Sequence, residues 1–237
     1  MLIDRNVHRL HNPRNHLRRK GPVLGFVTMI FMAHTLLPVT ANAHPHVFVD
    51  GGVDFVIGQQ NQLEALQVTW LIDEFETLYL LSDHGFSLNS KGGLDESVRK
   101  EFIRSLSDWP DHFEGASHLS VDGTDIALNL PINLDAQILN GRLLLTFSRK
   151  LALPQTVEKQ EVEVGFYDST YYYAFFVKNE PKIVGDNQNC ITNVLPFNPD
   201  TQEKVLLGAL SKLGREETTG IADIGALFAD RIQLRCE

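Results

Sequence analysis

His44-Pro45-His46, near the start of this 237-residue chain, could hold a metal ion if proteolysis exposes the first histidine. A free N-terminal histidine offers its amine and its ring Nδ1 to one ion. In an extended strand, alternation places His44, His46, Phe48 and Asp50 on one face, so two imidazoles and an amine can converge. Such donors suit nickel, cobalt, zinc or copper. Imidazoles and terminal amines shed their protons near neutrality, so binding by this set weakens in acid. Pro45 has no N–H, which blocks the square-planar chelate that a histidine in third position otherwise forms through the intervening amides. A brace-like arrangement remains, which takes further ligands from elsewhere or keeps positions open.

Acidic residues supply the second-rank ligands. Asp73 and Glu74 fall where a strand gives way to a helix. Asp168 ends an inward-facing row formed with Val162, Val164 and Phe166, an odd place for a lone carboxylate. The ordinary roles for these positions are a helix N-cap for Asp73 and a turn for Asp168. His84, near the end of the same helix, suits the negative end of a helix dipole. His112 and His118 read as loop residues with no specific task. The segment Asn89 to Glu96 has Lys91 where a calcium loop needs oxygen ligands, and it reads as a plain loop.

The sequence upstream supports processing before His44. Arg5, Arg9, Arg14, Arg18, Arg19 and Lys20 precede an apolar run from Gly21 to Leu37, followed by Ala41-Asn42-Ala43. A basic region, an apolar stretch and a small-x-small site make a cleaved secretory signal over residues 1–43. The run is short for a membrane span and is interrupted by Pro22 and His34. The whole chain carries −9, and six basic residues against Asp4 in the leader leave −14 over the remaining 194 residues. Such a domain attracts cations and lacks the basic footprint of a nucleic-acid binder. Its two cysteines, Cys190 and Cys236, form a disulfide in an oxidising compartment. The expected location is the periplasm.

The elements that position these residues are mostly strands. Val47, Val49, Val53, Phe55 and Ile57 share one parity, with a bulge expected at Gly51-Gly52. Leu66, Val68, Trp70 and Ile72 form the second arm of an opening hairpin. From Asp73 the pattern turns helical, with Phe75, Leu78, Leu81 and Leu80 as the packing face. A second helix starts near Asp95 on Val98, Phe102, Ile103 and Leu106 and ends before Trp109-Pro110. Asp122-Gly123 and Asn140-Gly141 each signal a hairpin turn. Val162 to Phe166 alternates, Tyr171 to Val177 reads as a buried central strand, and Ile183 to Leu195 pairs as well. A last helix opens at Asn198-Pro199-Asp200 with Leu206, Ala209, Leu210 and Leu213 on its face, and Gly214 closes it. The expected fold is mainly β: an antiparallel β-sandwich over residues 44–237, with a helical insertion at about 74–108 and a C-terminal helix.

No G-x-S-x-G, Walker loop, Rossmann fingerprint or H-E-x-x-H is present, and no nucleophile–base pair stands out, so a non-enzymatic role is expected. The segments HPHVFVD, Trp70-Leu-Ile-Asp73-Glu74-Phe75, Tyr167-Asp168-Ser-Thr-Tyr171-Tyr172 and Ile224 to Cys236 together resemble the family of domain of unknown function 1007. Ser169 stands where members usually have proline. The resemblance implies a periplasmic component of an uncharacterised transport system, beside a nickel/cobalt-type or zinc-type transporter. The expected role is therefore a transition-metal-binding accessory protein that exchanges its ion with an inner-membrane metal transporter. Two other roles compete: a metal-independent module that docks a transporter, and a copper enzyme built on a histidine brace.

Overall fold

The computed structural model describes residues 45–185, 189–199 and 222–237. Among them are eleven strands in two sheets, with two helices between the second and third strands. β1 (Val47–Ile57) and β2 (Gln62–Ile72) are followed by α1 (Glu74–Asp83) and α2 (Glu96–Leu106). Then come β3 (His118–Val121), β4 (Thr124–Asp125), β5 (Ile132–Leu139), β6 (Arg142–Thr156) and β7 (Val162–Phe166). β8 (Tyr173–Val177), β9 (Ile183–Gly185), β10 (Cys190–Leu195) and β11 (Asp230–Cys236) complete the set. The first sheet runs β5-β6-β2-β1-β8, with β9 also on β1, and the second runs β10-β11-β7-β3-β4.

The two sheets enclose one apolar core. Val49, Val53 and Phe55 of β1 meet the interior together with Val164 and Phe166 of β7 and Ile232 and Leu234 of β11. This is the mainly-β sandwich that the alternation of apolar residues demands: each sheet has one face that must leave water. Both predicted hairpins form. Asp122 and Gly123, and Asn140 and Gly141, all take positive φ, as a tight two-residue turn between right-twisted strands requires. Cys190 and Cys236 face each other across β10 and β11 and are joined by a disulfide.

Several local expectations are corrected. Gly51 and Gly52 sit in regular pairing with Trp70 and Thr69, and the register shift falls at Val56/Ile57 instead. The glycine at 51 answers a different need, since a Cβ there would lie 2.0 Å from the Thr69 carbonyl oxygen. β8 is not central: it lies at the sheet edge and pairs with β1 in parallel, leaving Phe176 and Tyr172 exposed. His118 opens β3 rather than lying in a loop, and its ring stacks on Tyr167 at 3.8 Å. The helix expected over Leu206 to Gly214 lies outside the described residues.

The face of α1 also differs. Phe75 and Leu78, expected to pack inward, are 79% and 57% exposed, whereas Glu76, Thr77 and Leu81 are buried. The inward side is chosen by polar bonds that apolar periodicity does not register. The Leu143 N–H donates to Thr77 Oγ1 at 2.8 Å, and the Tyr173 hydroxyl donates to Glu76 Oε1 at 3.3 Å.

Candidate functional site at the start of the first strand

The first residues of β1 are held on both sides by the acidic segments singled out from the sequence. On one side, the His46 N–H donates to the Tyr172 carbonyl at 2.9 Å, and the His46 and Tyr172 rings lie 4.8 Å apart. Tyr172 is itself fixed by Asp168, whose Oδ2 accepts from the Tyr172 N–H at 2.9 Å and from the Thr170 hydroxyl at 2.6 Å. On the other side, the Phe48 N–H donates to Asp73 Oδ2 at 2.8 Å, and the Asp73 N–H donates back to the Phe48 carbonyl at 3.0 Å. The second Asp73 oxygen caps α1 by accepting from the Glu76 N–H at 2.9 Å. Three segments distant in sequence thus meet around His46.

Alternation along β1 is as expected. Val47 and Val49 are buried, His46 and Phe48 are exposed, and Asp50 is half-buried on the outward side. The outward row continues into a stack of Phe48 on Phe176, ring centroids 6.5 Å apart. Asp50 meets Arg142, whose Nη1 donates to its Oδ2 at 2.8 Å. The same guanidinium donates to the Ile72 and Leu71 carbonyls, so it ties the start of β6 to the end of β2 just before Asp73.

Each predicted site residue has a definite place. His46 is on the surface at the head of β1. Asp73 and Asp168 spend their carboxylates on backbone N–H groups and so act as positioning residues for the strand. Glu74 is exposed in the first turn of α1. His44 lies outside the described residues. Among the described residues, no three His, Cys, Asp or Glu side chains come together as a metal cage.

Glu76 was missed by sequence reasoning, although Asp73-x-x-Glu76 has the spacing of a capping box. In this chain Glu76 does not reach back to the cap N–H, because that group is taken by Phe48. Burial pushes its carboxyl above the usual range, the Tyr173 hydroxyl pulls it partly back, and the Asp73 charge adds to the rise. Burial likewise raises the Tyr173 hydroxyl, and the neighbouring Glu76 raises it further.

The strap from Tyr167 to Tyr172 also borders a second feature, an open cleft of about 380 Å³. His118, Glu114, Asp125, Arg149 and Tyr167 line part of it. Arg149 is buried on β6 and gives its N–H groups to the carbonyls of Asn129, Glu114, Phe113 and Leu128. Its burial without a carboxylate bond lowers its pKa to about 10, with Glu114 opposing. Ser169 donates its hydroxyl to Glu114 Oε2 and so joins strap to cleft. Burial pushes the Tyr167 hydroxyl up to about 12.

A two-sheet β-sandwich, with its helices between the second and third strands and an acidic strap on each side of the first strand, is the class that fold and site define. The chain belongs to the DUF1007 family of proteins of unknown function, whose profile matches residues 29–236. It is 24% identical over 199 residues to an uncharacterized protein of Haemophilus influenzae, covering 82% of this chain and 92% of that one. Among solved structures it is similar to AChBP from Bulinus truncatus, at 13% identity and a TM-score of 0.35, over 91% of this chain and 99% of the other.

Proposed function

We propose that this chain is a periplasmic accessory protein that holds a divalent transition metal at a processed N-terminus and exchanges it with an inner-membrane metal transporter. The ligands in this reading are the His44 amine, the His44 ring and the His46 ring, with nickel, cobalt, zinc or copper as the ion. The supporting observation is the placement of His46: exposed at the head of β1, with its backbone bonded to Tyr172 and the next outward residue, Phe48, bonded to Asp73. A short terminal motif gains affinity when its backbone is held beforehand, because less ordering is left to the binding step. Asp73 and Asp168 supply that hold. The Cys190–Cys236 disulfide agrees with an oxidising compartment. No catalytic step is assigned.

The test is to recover the processed protein, determine its first residue, and titrate each of the four ions into wild type and His46→Ala by calorimetry. Wild type should bind at least one ion with proton release, and His46→Ala should bind about tenfold more weakly or worse, a loss of roughly 1.4 kcal/mol or more. Equal weak binding by both proteins, or a mature chain that does not begin at His44, removes the reading. A metal-independent docking module is the second reading, and the exposed apolar side of α1 favours it.

A further inference from the structure

We propose that the outward face of α1 is a docking surface for a polypeptide that offers an apolar groove edged with lysine or arginine, and that it works without metal. At 100° per residue, Phe75, Leu78, Tyr79 and Ser82 fall on one side of the helix. Phe75, Leu78 and Tyr79 are 79%, 57% and 56% exposed. Their spacing of i, i+3 and i+4 is that of helices that lay an apolar stripe into a partner's groove. This stripe is not the core-facing side of an ordinary surface helix. That side is occupied by Glu76, Thr77 and Leu81, which α1 buries against its own sheet. α1 therefore presents apolar surface on two sides, and among the described residues only one of them is covered.

Charge decides the kind of partner. Glu74 lies along one margin of the stripe and Asp83 along the other, and neither forms an ion pair among the described residues. The helix has no basic residue in its last turn. Asp83 thus sits at the negative end of the helix dipole with only the His84 cap beside it and no lysine or arginine in the last turn, an unfavourable placement that a partner's lysine or arginine relieves. Carboxylates on both margins also oppose an anionic lipid surface. A second copy would bring the same carboxylates face to face, and the expected processed chain carries −14 overall.

The experiment uses protein purified from cells expressing the full gene, kept in chelator so that it is independent of any metal at His44 and His46. The probe is a synthetic amphipathic helix of leucine and lysine, compared with the same helix carrying glutamate for lysine. Wild type should bind the lysine peptide, with affinity falling as salt rises. Phe75→Ser/Leu78→Ser/Tyr79→Ser keeps every charge, so it separates the apolar stripe from general attraction to an acidic protein. It should melt as wild type does and bind at least tenfold more weakly. Glu74→Gln/Asp83→Asn should bind more weakly with a shallower salt dependence. Equal binding by wild type and the triple serine variant overturns the proposal. So does equal binding of the glutamate peptide, a dimer in sedimentation equilibrium that the triple variant abolishes, or capture by anionic phosphatidylglycerol vesicles.

Discussion

Phe48 and Asp73 hold each other by two bonds: the Phe48 N–H donates to the Asp73 carboxylate, and the Asp73 N–H donates to the Phe48 carbonyl. Asp73 also caps α1. One side chain therefore sets both where the helix begins and where the head of β1 lies. Moving either element moves His46.

Asp73→Ala should lower stability by about 1–3 kcal/mol, combining a lost helix cap with a strand N–H left without its acceptor. Asp73→Asn keeps an acceptor oxygen and should lose less. Urea denaturation followed by far-UV circular dichroism measures both. An Asp73→Ala protein as stable as wild type would mean that the two carboxylate hydrogen bonds, from the Phe48 and Glu76 N–H groups, contribute nothing net.

The strands and turns were legible because their causes are local. The parity of Val47, Val49, Val53, Phe55 and Ile57 reports one buried face, and Asp122-Gly123 and Asn140-Gly141 report backbone that needs positive φ. The facing of α1 was not legible. Its apolar residues lie on both sides, and the choice is made by Tyr173 and Leu143, which are 97 and 66 positions from their partners. The edge position of β8 was hidden for a similar reason. Aromatic residues on both its faces suggest burial on both, but outward Phe176 stacks on Phe48 instead. The motif segments could be picked out one by one. That they meet around His46 follows from the parallel register of Val47 with Tyr173, which no local pattern encodes.

Asp168→Ala should loosen the strap that fixes Tyr172, because one carboxylate oxygen serves the Tyr172 N–H and the Thr170 hydroxyl. Under the proposed function, metal affinity should fall about tenfold, as for loss of a residue that orients a ligand. Thermal stability should fall by about 1–2 kcal/mol. Calorimetric titration together with a melt separates the two effects. Affinity that is unchanged while the melt shifts would confine Asp168 to the turn.

Gly51→Ala should destabilise by about 1–3 kcal/mol through overpacking. The new Cβ would meet the Thr69 carbonyl oxygen at 2.0 Å, and that oxygen belongs to a paired strand in mid-sheet. Relief requires β1 and β2 to separate, so guanidinium midpoints should drop with little change in slope. A wild-type midpoint would show that the strands part there at no cost.

Replacing both Cys190 and Cys236 by serine opens a link of sequence separation 46. On the chain-entropy account the loss is about 4 kcal/mol at 25 °C. The two residues already face each other in the β10–β11 ladder, so the folded strands should pair in the same register without the bond. Unfolding of wild type with and without reductant, beside the double serine variant, measures it. Reduced wild type and the variant should coincide, well below the oxidised protein.

Glu76 gives a pH dependence with a definite sign. Its carboxyl is raised above the ordinary value of 4.5 by burial, so between 4.5 and its folded value the native state binds more proton than the unfolded chain. Its contribution is fully present below 4.5 and is lost as pH climbs through the folded value. Glu76→Gln keeps an amide oxygen to accept from the Tyr173 hydroxyl and removes the charge that burial penalises. The variant should therefore gain on wild type as pH rises from 4 to 7, with the difference levelling off once the wild-type carboxyl is fully ionised. Melting curves at half-unit steps resolve this. A stability difference that stays flat across that range, or runs the other way, would show that the carboxylate is compensated when charged and that Tyr173, rather than burial, governs it.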